Sequence, residues 1–171
     1  TISIDGLGVV ATTCDVSRKI DDSSTTIRAA LQHNVNENGM FYLSYSEGFK
    51  AGGVAIYECN EPYEPEQIDA WELGTKWTLF SGTTTLNAAL FHYDYQDFQV
   101  GQVIGLTSVV RNAGDASING LELEVWSDLN DYWSVSAGLT LVDSEYKDFV
   151  NLDGLRPELG FQQLKGNPLN G

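Results

Sequence analysis

Apolar and polar side chains alternate along several long stretches of this sequence. In residues 25–35, Leu31 belongs to a largely apolar series at odd positions and Gln32 to a polar series at even positions. Successive side chains of a β-strand point to opposite faces, so a period of two predicts strands rather than helices. The Asn and Gly residues of 36–39 are typical of a tight turn, and the alternation resumes from Phe41. A β-hairpin is therefore predicted here.

The same pattern occurs twice more along the chain. Residues 71–90 contain a second hairpin that turns at Ser81 and Gly82, and residues 121–141 contain a third that turns at 129–131. The sequence thus predicts an all-β fold, an antiparallel meander of about six to seven strands. Short turns are expected at one end of the sheet and long connections at the other, near 48–65, 101–109 and after 146. Residues 1–24 are expected to form a long loop with one short strand.

The alternation is compatible with a soluble sandwich or with a membrane barrel, which differ in the direction that the apolar face points. The strands are long enough to cross a bilayer, for which about 9–11 residues suffice. The polar face also carries full charges in mid-strand, at Arg28, Glu72, Lys76, Glu122 and Glu124. Aromatic residues next to the turns fit the interfacial girdle of such barrels, at Phe41, Tyr42, Phe80, Tyr132 and Trp133. These features favour a segment of a large transmembrane β-barrel, and the soluble sandwich remains the alternative.

Composition excludes several other classes of protein. The 171 residues carry a net charge of −15, and binding of nucleic-acid phosphates needs clustered Lys and Arg, so no nucleic-acid partner is expected. Hydrophobic residues make up 42% of the chain, which is too much for a disordered protein. No apolar run reaches the roughly 18 residues that a transmembrane helix requires.

Five sequence segments are distinctive when taken together. They are FYLSYSEGFKAGG at 41–53, PE at 65–66 with AWELGTK at 70–76, LNAALFHYDYQD at 86–97, NAGDA at 112–116 with NGLELE at 119–124, and GNPL at 166–169. In this order they resemble the β-barrel of TonB-dependent outer-membrane receptors, across about residues 25–171. The resemblance implies a bacterial outer-membrane protein that transports ferric siderophores or similar nutrients.

The resemblance also implies partners that lie outside this segment. Residues 1–171 are expected to be part of the barrel, without a recognisable plug domain or TonB box. Transport would then depend on outer-membrane lipid around the barrel and on the TonB system acting through a plug. A few strands of a large barrel leave two open edges, so self-association is expected for the isolated segment. The alternative function is a soluble or self-assembling structural β-sheet protein without transport activity.

No arrangement of residues predicts catalysis or a cofactor. His33 and His92 are the only histidines, and each lies within a strand pattern without a neighbouring nucleophile. Glu122 and Glu124 could imitate a catalytic carboxylate pair, but their alternation with leucines is typical of charges that face a barrel lumen. Acidic residues cluster near both ends of the chain without EF-hand spacing, so solvated loops are expected rather than a metal site. The chain is therefore expected not to be an enzyme.

The resemblance implies that ligand recognition belongs to the long loops and the upper lumen. Aromatic rings can stack on a ligand, and Arg can pair with an anionic ferric chelate. The candidate ligand-binding residues are Tyr57, Tyr63, Phe98, Gln99, Gln102 and Arg111.

Cys14 and Cys59 are the only cysteines, too few for a disulfide framework. The predicted strand order places both at the long-loop end of the sheet. In the family that end faces the outside of the cell, where disulfides persist. A Cys14–Cys59 disulfide is therefore predicted, and two free thiols are the alternative.

Overall fold

The computed structural model describes residues 22–55, 61–104, 107–152 and 156–169. The described residues form twelve strands and two short 3-10 turns, at Phe80–Gly82 and Pro157–Leu159. The strands are β1 (Arg28–Asn36), β2 (Gly39–Lys50), β3 (Gly53–Ala55), β4 (Glu61–Tyr63), β5 (Glu66–Leu79), β6 (Thr84–Gln96), β7 (Gln99–Ile104), β8 (Thr107–Asn112), β9 (Ala116–Asn130), β10 (Trp133–Tyr146), β11 (Val150–Leu152) and β12 (Phe161–Gln163).

Six long strands form the main sheet, in the order β1-β2-β5-β6-β9-β10, and every neighbouring pair is antiparallel. This confirms the predicted all-β meander and its three hairpins. Strands β2, β5, β6, β9 and β10 contain 12, 14, 13, 15 and 14 residues. Each exceeds the length of about 9–11 residues that a tilted strand needs to cross the hydrocarbon of a bilayer.

The two ends of the main sheet differ as predicted. Tight turns at Glu37–Asn38, Phe80–Thr83 and Asp131–Tyr132 connect the strands at one end. At the other end, which we call the outer end, the connections are long. They carry three short two-stranded ribbons, β3–β4, β7–β8 and β11–β12. The ribbons were not predicted, because their strands are too short to show alternation.

The structure resolves the register of β6, which has aromatic residues at many positions. Phe91 pairs with Glu72 and Gly120, so the Phe91 side chain shares the polar face of the sheet. His92 pairs with Trp71 and Asn119 and lies on the opposite face.

The buried apolar residues lie at the outer end rather than beneath the main sheet. Among the described residues they are Ala113, Ala116 and Phe149. The described strands of the main sheet contact chiefly their immediate neighbours, without a second layer across either face. A soluble sandwich needs such a layer to cover its apolar side chains, so the open sheet does not support that alternative.

Within the described ranges, no helix is both long and apolar enough to span a bilayer. Residues 22–27 have no regular secondary structure. The short strand expected near the start of residues 1–24 lies outside the described residues.

Candidate functional site

A row of six leucines crosses the main sheet, one from each strand. The backbone register pairs each leucine with the next across all five strand interfaces. In order they are Leu31, Leu43, Leu73, Leu90, Leu121 and Leu141. Leu73 is 51% exposed and Leu90 is 55% exposed, so the row is open to its surroundings. We call this face, which also carries Leu86, Leu123 and Val125, the apolar face.

The opposite face, here called the polar face, carries the charges that the sequence placed there. The Tyr42 hydroxyl donates a hydrogen bond to Glu72 Oε1 at 2.5 Å, and Lys76 Nζ lies 5.9 Å from the centroid of the Tyr42 ring. A depression on this face is lined by these three residues together with Asn87, Glu122 and Glu124. The side chains of Glu122 and Glu124 thus lie opposite Leu121 and Leu123, as the alternation predicted.

Two glycines allow aromatic rings to lie flat on the polar face. A Cβ atom at Gly74 would lie 2.2 Å from the Tyr42 ring, and one at Gly120 would lie 2.1 Å from the Phe91 ring. Any side chain at either glycine would displace the aromatic ring that lies over it from the neighbouring strand. The family-like segments AWELGTK and NGLELE therefore each contribute a glycine against which an aromatic ring of the neighbouring strand packs.

The apolar face ends at a band of polar contacts toward the outer end. The Tyr45 hydroxyl lies 2.7 Å from Asp69 Oδ1 and 2.8 Å from Glu47 Oε1, so its single O–H is shared between the two carboxylates. Lys147, which follows β10, donates from Nζ to Asp94 Oδ1 near the end of β6. Asp94 lies four residues beyond Leu90 of the leucine row. These polar contacts lie where the apolar side chains of this face stop and a polar environment begins.

Four aromatic rings form a cluster at the outer end, here called the rim cluster. Phe98 lies 5.1 Å from Tyr95 and 6.4 Å from Tyr146, measured between ring centroids. Tyr146 lies 4.7 Å from Phe149, which is 6% exposed. The cluster joins the end of β6 to the segment that follows β10.

The ribbon β7–β8 is attached to the rim through its first and last residues. Gln99 and Asn112 face each other in the register of this ribbon. Backbone hydrogen bonds of 2.7 Å from Phe98 N to Gly114 O and from Ala113 N to Phe98 O continue the pairing toward the main sheet. The base of the ribbon is therefore hydrogen-bonded at Phe98, a member of the rim cluster.

The structure describes part of the predicted ligand-binding set. Phe98 belongs to the rim cluster, and Gln99 is buried with its amide nitrogen bonded to backbone oxygens of Ala51 and Glu64. The Tyr63 ring lies over Gly53 in the first ribbon, and Arg111 is an exposed residue of β8 opposite Val100. The Gln102 backbone pairs with Val109, and its side chain lies outside the described part of the structure, as does the whole of Tyr57. All four described candidates belong to the outer ribbons or to their bases.

Sequence reasoning missed several residues of this region. Tyr95, Tyr146 and Phe149 complete the rim cluster, and Asn112 makes three side-chain hydrogen bonds there. Asn112 begins the NAGDA segment that carried the family resemblance. That segment was the one available signal, but it gave no indication of what the side chain contacts.

Two further expectations concern cysteine and metal binding. Cys14 and Cys59 both lie outside the described residues. Within the described ranges no three His, Cys, Asp or Glu side chains are grouped so that they could hold a metal ion.

A protein-family model described as "TonB dependent receptor-like, beta-barrel" matches residues 1–171. The chain belongs to the TonB-dependent receptor β-barrel family. This confirms the family resemblance and the interpretation of the sheet as part of an outer-membrane barrel, open in this segment.

Curated relatives of this barrel segment are described as siderophore receptors or as TonB-dependent receptors. The probable TonB-dependent siderophore receptor PiuA of Acinetobacter baumannii is 32% identical over 136 residues, which cover 74% of this chain and 18% of PiuA. The ferric-pyoverdine BN7/BN8 receptor of Pseudomonas putida is 24% identical over 144 residues, covering 84% of this chain and 17% of the receptor. The chain therefore spans less than a fifth of the length of these relatives.

Solved structures of the same family share the fold. The ferric yersiniabactin uptake receptor FyuA from Yersinia pestis has a TM-score of 0.59 and 25% identity, over 69% of this chain and 18% of FyuA. The alcaligin outer-membrane receptor FauA from Bordetella pertussis has a TM-score of 0.54 and 22% identity, over 85% of this chain and 23% of FauA.

Proposed function

We propose that this segment forms part of the barrel wall and outer rim of a receptor that takes up ferric siderophores across the outer membrane. The observation that carries the proposal is the inverted polarity of the main sheet, with exposed leucines on one face and charged residues on the other. Such a sheet suits lipid on its apolar face and a hydrated lumen on its polar face. PiuA and the pyoverdine receptor, by their names, act on siderophores, which supports the same class of ligand here.

The outer end is the proposed place of ligand capture. Tyr95 and Phe98 belong to a cluster of rings on which a flat chelating group could stack, and Arg111 brings a guanidinium to the second ribbon. Tyr57, Tyr63, Gln99 and Gln102 complete the proposed ligand-binding set. A guanidinium is suited to anionic chelates because it offers several hydrogen-bond donors in one plane.

The polar face is the proposed contact for the plug of the complete receptor. Glu72, Glu122 and Glu124 place three carboxylates around one depression, with Lys76 as the cation that lines it. Carboxylates in a narrow lumen are stabilised by cationic partners, so a basic surface of a plug would fit this face. The TonB system would then act on the barrel only through that plug. In this proposal residues 1–171 belong wholly to the barrel, and the segment has no catalytic role.

An uptake assay tests the proposal directly. The complete receptor is expressed in a bacterial host that lacks its own siderophore receptors, and radioactive iron is supplied as ferric catecholate, hydroxamate or mixed-ligand chelates. We expect uptake of at least one of these chelates, and we expect that uptake to cease when the host lacks TonB. Uptake that does not depend on TonB, or no uptake of any siderophore class by a correctly inserted receptor, would refute the proposed function.

Two single variants of the same receptor, one at each end of the sheet, test whether the ligand binds at the outer end. Phe98→Ala removes a ring from the rim cluster, and Phe80→Ala removes an exposed ring from a tight turn at the opposite end of the sheet. If the outer end captures the ligand, Phe98→Ala weakens binding of the transported chelate while Phe80→Ala leaves it unchanged. Equal effects of the two variants would argue against capture at this rim.

A further inference from the structure

One side chain joins two of the three outer ribbons, β3–β4 and β7–β8, at their bases. Asn112, the last residue of β8, accepts a hydrogen bond at Oδ1 from Glu64 N at 2.6 Å. Its Nδ2 donates to Glu64 O at 3.0 Å and to Asp97 O at 2.6 Å. The amide of Asn112 thus pairs with the backbone of Glu64 much as a neighbouring strand would, although the two residues are 48 positions apart.

Gln99 makes a second connection beside the first. Its Nε2 donates to Ala51 O at 3.0 Å and to Glu64 O at 3.1 Å, and its backbone N–H donates to Glu66 Oε2 at 2.7 Å. Ala51 precedes β3 and Glu64 follows β4, so Gln99 bonds to both strand connections at the base of the first ribbon. Its side chain is almost fully buried, and a buried amide without partners would be costly.

We propose that Asn112 and Gln99 are positioning residues that fasten the two outer ribbons β3–β4 and β7–β8 into one body. A two-stranded ribbon is only marginally stable alone, so each ribbon needs such an anchor to hold its direction. With both bases tied to Glu64, the first ribbon, which carries Tyr63, keeps a fixed position relative to the second, which carries Arg111. The inference deepens the proposed function, because it identifies the side chains that set the spacing of the ligand-binding set.

A distance measurement that needs no ligand tests the connection. Nitroxide labels are attached at Pro62→Cys in the first ribbon and Gly101→Cys in the second, in a complete receptor whose Cys14 and Cys59 are replaced by Ser. Pro62 is exposed, and a Cβ atom at Gly101 meets no other atom within 4 Å. Pulsed electron paramagnetic resonance then gives the distribution of distances between the ribbons.

We expect one narrow distribution in the parent protein and loss of that narrow distribution in Asn112→Ala and in Gln99→Leu. Asn130→Ala is the matched control, since it removes the hydrogen bonds of a turn asparagine at the opposite end of the sheet. A distribution that stays narrow in both rim variants would overturn the proposal, as would equal broadening in the control. If Asn112→Ala fails to insert, Gln99→Leu alone carries the test.

The affinity for a ligand, measured together with the amount of inserted receptor, separates a positioning role from a general loss of structure. With a ferric chelate that the parent receptor binds, Asn112→Ala, at a residue outside the proposed ligand-binding set, is expected to raise Kd roughly 3- to 10-fold, because ordering a loosened ribbon opposes binding. The amount of inserted receptor should not change. If no ferric chelate binds the parent receptor, the proposed function fails while the distance result still decides whether the ribbons are fastened. An unchanged Kd with broadened distances would show that ribbon spacing does not position the ligand, and would also overturn the inference.

Discussion

Leu73 lies directly opposite Leu90 in the register of β5 and β6, and about half of each side chain is exposed, 51% and 55%. Soluble monomers rarely leave a large continuous patch of such apolar side chains exposed. Here the two leucines belong to a row that continues across all six strands without a described layer over it. The pair therefore marks the level at which the sheet meets hydrocarbon.

A charge in this band should impair insertion into the membrane. Leu123 faces Ala88 and Leu139 on the apolar face, next to the leucine row. Leu123→Arg in the complete barrel is expected to cost roughly 2–4 kcal/mol if the residue lies at the bilayer midplane. Thr140→Arg is the matched control, because Thr140 pairs with Glu122 on the polar face. Folding titrations into lipid vesicles measure both variants, and equal costs would contradict the assignment of faces.

The segment on its own should associate. In the described part of the sheet, β1 and β10 each have a single strand neighbour, so their outer edges offer unpaired backbone groups. The exposed apolar face adds a second reason for association. Size-exclusion chromatography in mild detergent is expected to show oligomers or aggregates of residues 1–171. A monodisperse monomer of 18.8 kDa with cooperative unfolding would contradict this expectation.

A disulfide between Cys14 and Cys59 remains a prediction. The two cysteines lie about 45 residues apart, so the bond would stabilise the fold by roughly 4 kcal/mol in the chain-entropy model. Thiol titration of the unfolded, unreduced protein is expected to detect no free thiol, and two after reduction. Two reactive thiols before reduction would mean that the bond is absent.

The alternation of the sequence was sufficient to predict the main sheet. A period of two fixes which side chains share a face, so the separation of Leu121 and Leu123 from Glu122 and Glu124 followed directly. The alignment of leucines from six strands into one row could not be predicted, because alternation within one strand does not set the register between strands.

The side-chain contacts at the outer end could not be predicted from the sequence, for a physical reason. The contacts of Asn112 with Glu64 and of Gln99 with Ala51 join residues that are 48 positions apart in connections with little periodicity. Gln99 was predicted as a ligand-binding residue from its polar side chain. In the structure its amide bonds to backbone oxygens, which sequence alone could not indicate.

If the leucine row faces lipid, alternate residues of β6 must differ in their exposure to hydrocarbon. Nitroxide labels are placed one at a time at positions 86–91 of the complete receptor in lipid, and their collision rates with oxygen, which enriches in hydrocarbon, and with a water-soluble nickel chelate are compared. Labels at Leu86, Ala88 and Leu90 are expected to collide with oxygen more often than labels at Asn87, Ala89 and Phe91, which should collide more often with the nickel chelate. The opposite alternation, or equal oxygen exposure at all six positions, would contradict a lipid-facing leucine row.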